Sequence, residues 1–191
     1  MNSLFASLPT TIFERMSQLA REFDAVNLGQ GFPDDPGPED VRQAAAKAVL
    51  DGWNQYPPML GLPELRQAIA EHYGRFHRVE LDWQKEVLVT SGATEALAAS
   101  LLALIEPGDE VVLFQPMYDA YLPLVQRAGG VARFVTLQPP DWRFDAQQLE
   151  RAFSPKTRVV LLNTPLNPAG SVVSREDLEL LADFVDRKSV V

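Results

Sequence analysis

The sequence predicts an α/β fold built on a mostly parallel sheet. Two observations carry that prediction. Short runs, "EVLVT" (86–90), "EVVLF" (110–114), "VARFVTL" (131–137) and "TRVVLLN" (157–163), alternate with longer segments of helical pattern. The runs are also apolar at consecutive positions, as strands covered on both faces are. At 191 residues and 46% hydrophobic content, the chain suits one globular domain, or one and a fraction.

The elements follow in order. "TIFERMSQLAREFD" (11–24) has Ile12, Met16, Leu19 and Phe23 at helical spacing and reads as an amphipathic helix. "NLGQGFPDDPGPED" is dense in turn formers, and its Gly-Gln-Gly core lets backbone approach a ligand. A plain linker is the alternative. "EDVRQAAAKAVLDG" is helical by composition and ends at Gly52. A loop through "WNQYPP" leads to a helix with Pro63 near its start and Glu64 in its first turn. After the run 86–90, "SGATEALAASLLALIEPGD" is a turn and a helix, apolar at Leu97, Leu101, Leu104 and Ile105. "PMYDAYLPLVQRAGG" reads as loop and helix, stopped at Gly129-Gly130. "SREDLELLADFV" opens with Ser174 as its cap and acidic residues in its first turn.

Composition narrows the function. Lys+Arg is 17 and Asp+Glu 26, a net charge of −9, which disfavours nucleic acid and anionic membranes as partners. There is no Cys, hence no disulfide framework, thiolate metal site or cysteine nucleophile. His72 and His77 are five apart, not the three or four of a helical metal pair, and read as surface residues. The N-terminus lacks the basic-then-apolar pattern of a signal peptide, and no apolar run reaches the ~18 residues of a membrane span. A cytoplasmic protein is expected.

In open α/β sheets, ligands bind beyond the carboxyl ends of strands. After "EVLVT" comes "SGATEA", a turn and helix start whose N–H groups and dipole suit an anion such as phosphate. Gly92 leaves that point open; Ser91 and Thr94 add hydroxyls. It is neither a Walker A loop nor a dinucleotide fingerprint, and an ordinary helix cap is the competing reading. After "EVVLF" comes "QPMYDAY", where Tyr118 either covers a planar ligand or packs with Tyr121 as one helical face. After "RVVLLN" comes "TPLNPAG". Its Asn163 and Asn167 offer amide donors, Pro165 and Pro168 stiffen the turn, and structural Asn caps are the alternative. A planar, phosphorylated, hydrogen-bonding ligand suits all three.

With those residues in view, the chain resembles the class I/II aminotransferases, pyridoxal-phosphate (PLP) enzymes of fold type I. "NLGQGFPDDPGP", "NQYPPMLGLPELRQAIA", "VTSGATEAL", "GDEVVLFQPMYDAY" and "LLNTPLNPAG" stand in the family's order, from about Ile12 to Val185. It is most similar to the "LGQGFPD" branch of kynurenine/glutamine and methionine-type aminotransferases. The resemblance implies a three-layer α/β/α large domain, with an N-terminal arm belonging to the small domain. The implied division is residues 1–40 for the arm and 41–185 for the first part of the PLP-binding domain. It implies pyridoxal 5′-phosphate as cofactor, an amino acid (aromatic or sulfur-containing) and a 2-oxo acid as substrates, and a homodimer.

Roles carry over motif by motif. Gly92, Ala93 and Thr94 would hold the cofactor phosphate, and Tyr118 would stack on its ring. Asn167 would bond the ring's 3′ oxygen and help hold the substrate carboxylate. Tyr56 would reach the phosphate of the partner subunit's PLP. The Gly31 backbone would touch substrate and Phe13 would lie against its side chain. Leu166 stands where the family often has Asn or His. The larger departure is that the family's Asp in "DE-x-Y", its Schiff-base lysine and its substrate-carboxylate Arg are absent. Lys47, Lys85, Lys156 and Lys188 lie in no family motif. No catalytic lysine is therefore expected in this chain, which is predicted inactive as an N-terminal fragment.

The end "DRKSVV" breaks the preceding helical pattern. It reads as GAT CGG AAG AGC GTC GTG before TAG, the in-frame translation of a common sequencing adapter. Residues 186–191 are expected to be non-native. Two other functions use the same loops: a PLP-dependent C–S lyase, and a short non-catalytic protein that binds a phosphoryl ligand or a partner.

Overall fold

The computed structural model describes residues 3–6, 8–29, 31 and 35–188. In chain order the elements are α1 (Ser3–Ala6), α2 (Ile12–Glu22), α3 (Glu39–Leu50), α4 (Pro63–His77), α5 (Trp83–Glu86), α6 (Gly92–Leu104), β1 (Glu110–Gln115), α7 (Tyr121–Arg127), β2 (Val131–Thr136), α8 (Ala146–Ala152), β3 (Thr157–Leu161) and α9 (Arg175–Lys188). They form two compact units, one of residues 10–91 and one of residues 92–191 with the N-terminal nine.

The second unit holds the sheet, in the order β2-β1-β3, all parallel. β1 is central and Val111, Val112 and Leu113 are wholly buried. Successive side chains of a strand point to opposite faces. Accordingly Val112 and Phe114 join Val135, Leu149, Phe153, Leu181 and Phe184 on one side. Val111 and Leu113 join Leu101, Ile105, Val125 and Val159 on the other. Thus α8 and α9 cover one face and α6 and α7 the other, a three-layer α/β/α arrangement, as the continuous apolar runs predict.

Charge at the strand starts is paired. Glu110, buried at the head of β1, accepts from Arg133 Nη2 at 2.6 Å and from Ser154 Oγ at 2.6 Å. The Arg133 guanidinium holds the Glu110 carboxyl below its usual range despite burial. Arg143 grips buried Asp177 with Nε and Nη2, tying the 138–143 turn to the start of α9. Asp177 N–H also donates to Ser174 Oγ at 3.1 Å, the cap expected from sequence.

The first unit holds α2 to α5. Thr11 caps α2 through Glu14 N–H, Pro63 stands in the first turn of α4, and Gly52 (φ +97°) follows the end of α3, as their residue types predict.

Two expectations are corrected. "EVLVT" is no strand in this structure: Glu86 ends α5 and residues 87–90 belong to none of the described strands. Its backbone bonds go elsewhere, Val89 N–H to the Leu60 carbonyl at 3.0 Å and the Val87 carbonyl to the Arg66 side chain. A strand needs a ladder as well as an apolar run. The helical pattern was also expected to break after Val185. α9 instead continues to Lys188, where Arg187 Nε bonds the Asp183 carbonyl and its guanidinium lies over Phe184. Residues 189–191 lie outside the described residues.

Candidate active site

The three loops singled out by sequence all belong to one sheet edge or lead to it. β1 and β3 are adjacent and parallel, with Leu113 opposite Leu161. Residues 116–120 and 162–170 therefore leave neighbouring strands on the same side. α6 ends at Leu104, just before β1, and packs Leu101 and Ile105 against Val111 and Leu113. A short connection with shared packing turns the helix antiparallel to the strand. Thirteen residues of helix span about 20 Å and six of strand about 20 Å, so the start of α6 returns to the level of that edge.

At that start Gly92 has φ +81°, a backbone conformation costly for side-chain-bearing residues. A Cβ built there meets nothing within 4 Å, so the turn faces open space. Ala93 and Thr94 follow in the exposed first turn, where N–H groups have no acceptor within the helix. This geometry fits a phosphate.

Tyr118 is half-buried and meets Tyr121 edge-on, ring centroids 5.8 Å apart. Burial, then Tyr118, pushes the Tyr121 phenol up. The sequence posed cover or packing as alternatives. The pair does pack, with Tyr121 against the Val111–Leu113 core, while Tyr118 remains in the loop before α7. Gln115, at the tip of β1, ties the edge by donating to Thr136 Oγ1 at 2.8 Å.

The "NTPLNPAG" loop is held by the residue that departs from the family pattern. Leu166 is buried in the core; its N–H donates to the Ser171 carbonyl, and its carbonyl accepts from Gly170 N–H. Val173 N–H donates to Thr164 Oγ1 at 3.1 Å. With Leu166 as anchor, Asn167 is exposed and Asn163 half-buried. The exposed Asn167 amide and the glycine turn at Gly92 fit the chemistry of the cofactor that the sequence implies.

The remaining predicted residues lie in the first unit. Tyr56 is fully exposed, on a loop that walls a groove of about 530 Å³ with Trp53, Met59, Leu65, Thr90 and Ser91. Gly31 is exposed with open space around its Cβ position; Gln30 and Phe32–Asp34 lie outside the described residues. Phe13 is half-buried on α2, outside the lining of the groove formed by Met16, Leu19, Phe23 and Leu28.

Sequence reasoning passed over Gly61 and Arg66, which pin residues 83–89. The "G-x-P" before a helix and a charged residue in that helix's first turn were the available signals. Lys47 pairs with Asp51 and Lys85 with Asp82, both on the surface. No group of three or more His, Asp or Glu suited to a metal is found among the described residues, and no helix there is long and apolar enough to cross a membrane.

The profile of aminotransferase class I and II matches residues 24–191. The chain belongs to the aminotransferase class I and II family. Its match to the methionine aminotransferase of Escherichia coli is 44% identical and covers 94% of this chain and 46% of that protein. Kynurenine–oxoglutarate transaminase 3 of Homo sapiens is 40% identical, over 93% of this chain and 41% of that protein. The solved structure of N-succinyldiaminopimelate aminotransferase from Mycobacterium tuberculosis superposes with a TM-score of 0.95 at 46% identity, covering all of this chain and 50% of that one. The chain thus spans about half the length of the curated relatives it matches. The aminotransferase family uses pyridoxal 5′-phosphate.

Proposed function

We propose that the chain is the N-terminal half of a PLP-dependent aminotransferase, moving an amino group from an amino acid to a 2-oxo acid. The observation that carries this reading is the glycine turn that opens α6, together with the Tyr118 and Asn167 loops that leave the adjacent parallel strands β1 and β3 on the same side. Ala93 and Thr94 N–H groups would hold the phosphate, with the α6 dipole favouring the negative charge. Tyr118 would cover one face of the ring and keep water from it. The Asn167 amide would donate to the ring oxygen, fixing the ring's rotation. Backbone at Gly31 would meet the substrate, and Phe13 would shape the space for its side chain. Tyr56, wholly exposed, suits a reach to the cofactor of a second copy, so a homodimer is part of the proposal. When bound, the cofactor supplies an electron sink for the carbanion formed at the substrate's α carbon. The protein works in the cytoplasm on this reading.

The donor is proposed to be aromatic or sulfur-containing, in line with the methionine and kynurenine relatives. N-Succinyldiaminopimelate, named for another relative, is the competing donor class. The test begins with the genomic reading frame beyond the Val185 codon, expected to encode "DE-x-Y" and then the cofactor-bonding lysine. The protein it encodes, incubated with 2-oxoglutarate, is expected to yield glutamate from methionine or kynurenine. A frame without that lysine, or pyruvate release from cysteine conjugates without amino transfer, would overturn the proposal.

A further inference from the structure

Tyr118 is held from two sides by residues of its own unit. Met117 and Tyr121 both pack against the cluster that contains Val111, Leu113 and Val125. Half-buried Tyr118 and exposed Asp119 lie between them in the chain. The stretch is thus fastened at both ends. Tyr121 N–H also donates to the Tyr118 carbonyl at 3.3 Å, closing a turn over residues 118–121. That turn brings the two rings together. Their centroids are 5.8 Å apart and their planes meet at 69°. This is an edge-on pair, one of the arrangements that ring quadrupoles favour.

Leucine at position 121 would also bury apolar surface against the core. What an aliphatic side chain would not supply is a flat partner. A stiff ring with two side-chain torsions, itself seated on the core, restricts the tilt of the ring it meets. A branched aliphatic chain permits many tilts. A tyrosine that is to lie along a planar ligand gains when its tilt is fixed beforehand, because binding then carries no cost of ordering it. We infer that Tyr121 is a positioning residue for the cofactor ring: packed against the core, it sets the tilt of Tyr118 and so the face that Tyr118 offers to the pyridine. Packing with Tyr121 and covering a planar ligand, alternatives on sequence alone, are then one device. The inference rests on the proposed PLP-binding function and extends it to a residue that acts through Tyr118.

The test is a double-mutant cycle in the full-length enzyme that contains this chain, freed of cofactor and titrated with PLP. Tyr121→Leu is expected to lose about fivefold in PLP affinity, the equivalent of one aromatic pair. In a Tyr118→Leu background no ring remains to be tilted, and the same change is expected to alter affinity by less than about twofold. Tyr121→Phe keeps the flat ring and is expected to bind PLP as the wild type does. The circular dichroism of the bound PLP band reports how the ring is seated. It is expected to weaken in Tyr121→Leu and to be retained in Tyr121→Phe. If Tyr121→Leu does not fold, Tyr121→Met, whose unbranched chain adapts to irregular gaps, takes its place in the cycle. Equal loss in both backgrounds, or no loss in either, would overturn the inference, because a residue that only packs the core does not act through Tyr118. A wild-type enzyme that binds no PLP would instead overturn the proposed function.

Discussion

Single residues decide whether the loops at the sheet edge are rigid. Leu166 looked like a minor departure in "NTPLNPAG", yet it is the residue that fastens the loop to the core. Leu166→Ala is expected to cost about 2–5 kcal/mol, the usual range for emptying a buried leucine site. Urea unfolding of the full-length enzyme that contains this chain would show it, and its PLP affinity should fall as well because Asn167 loses its anchor. Gly92 poses the opposite case. Gly92→Ala meets no neighbouring atom, so its cost to folding is the left-handed backbone alone, about 1–2 kcal/mol. Its Cβ enters the space assigned to the phosphate, so PLP affinity is expected to drop far more than pyridoxal affinity in parallel titrations. Unchanged PLP binding would remove the phosphate from that turn.

Among the elements, helix ends were the most readable features. Ser174, Thr11 and Pro63 do what their residue types predict. Helix α8 went unread although "DAQQ" carries a full capping box, with Asp145 accepting from Gln148 N–H and the Gln148 side chain accepting from Asp145 N–H. Asp145→Ala is expected to destabilise the full-length enzyme by about 1 kcal/mol, measured as a fall in the thermal midpoint. "EVLVT" failed as a strand for a reason local sequence does not contain. Its composition suits a sheet, but pairing depends on which backbone lies beside it, and here the α4 region does.

Across the whole molecule, half-exposed arginines paired with buried carboxylates link distant parts of the chain and set the response to acid. Glu110 and Asp177 both titrate below their ordinary values, held by Arg133 and Arg143 respectively. The unfolded chain binds their protons more readily than the folded one. Their stabilisation is therefore complete above the unfolded carboxylate values, about 4, and is lost as pH falls through the lower folded values. The urea midpoint of the full-length enzyme that contains this chain is expected to hold steady near neutrality and decline below about pH 4.5. Glu110→Gln should lower the plateau and flatten that decline; an unchanged acid limb would remove Glu110 from the account. A second expectation concerns exposure. The apolar stripe of α2 buries no residue, and Val26, Leu28 and Met59 are more than four-fifths exposed. Exposed apolar surface of this kind promotes association. The chain expressed alone is expected to bind a hydrophobic dye, aggregate, and show no absorbance band from bound PLP; a soluble two-state monomer would contradict this.

The sequence by itself determined the α/β class, most helix ends and the three loops, because periodicity, caps and turn formers act over a few residues. It also singled out Gly92, Tyr118 and Asn167 as candidate cofactor contacts. Tertiary structure alone decided that Leu166 is an anchor, that residues 87–90 are held by Gly61 and Arg66, and that Glu110 and Asp177 find their arginines. Each depends on contacts between residues far apart in the chain, and no local pattern encodes which distant side chain arrives.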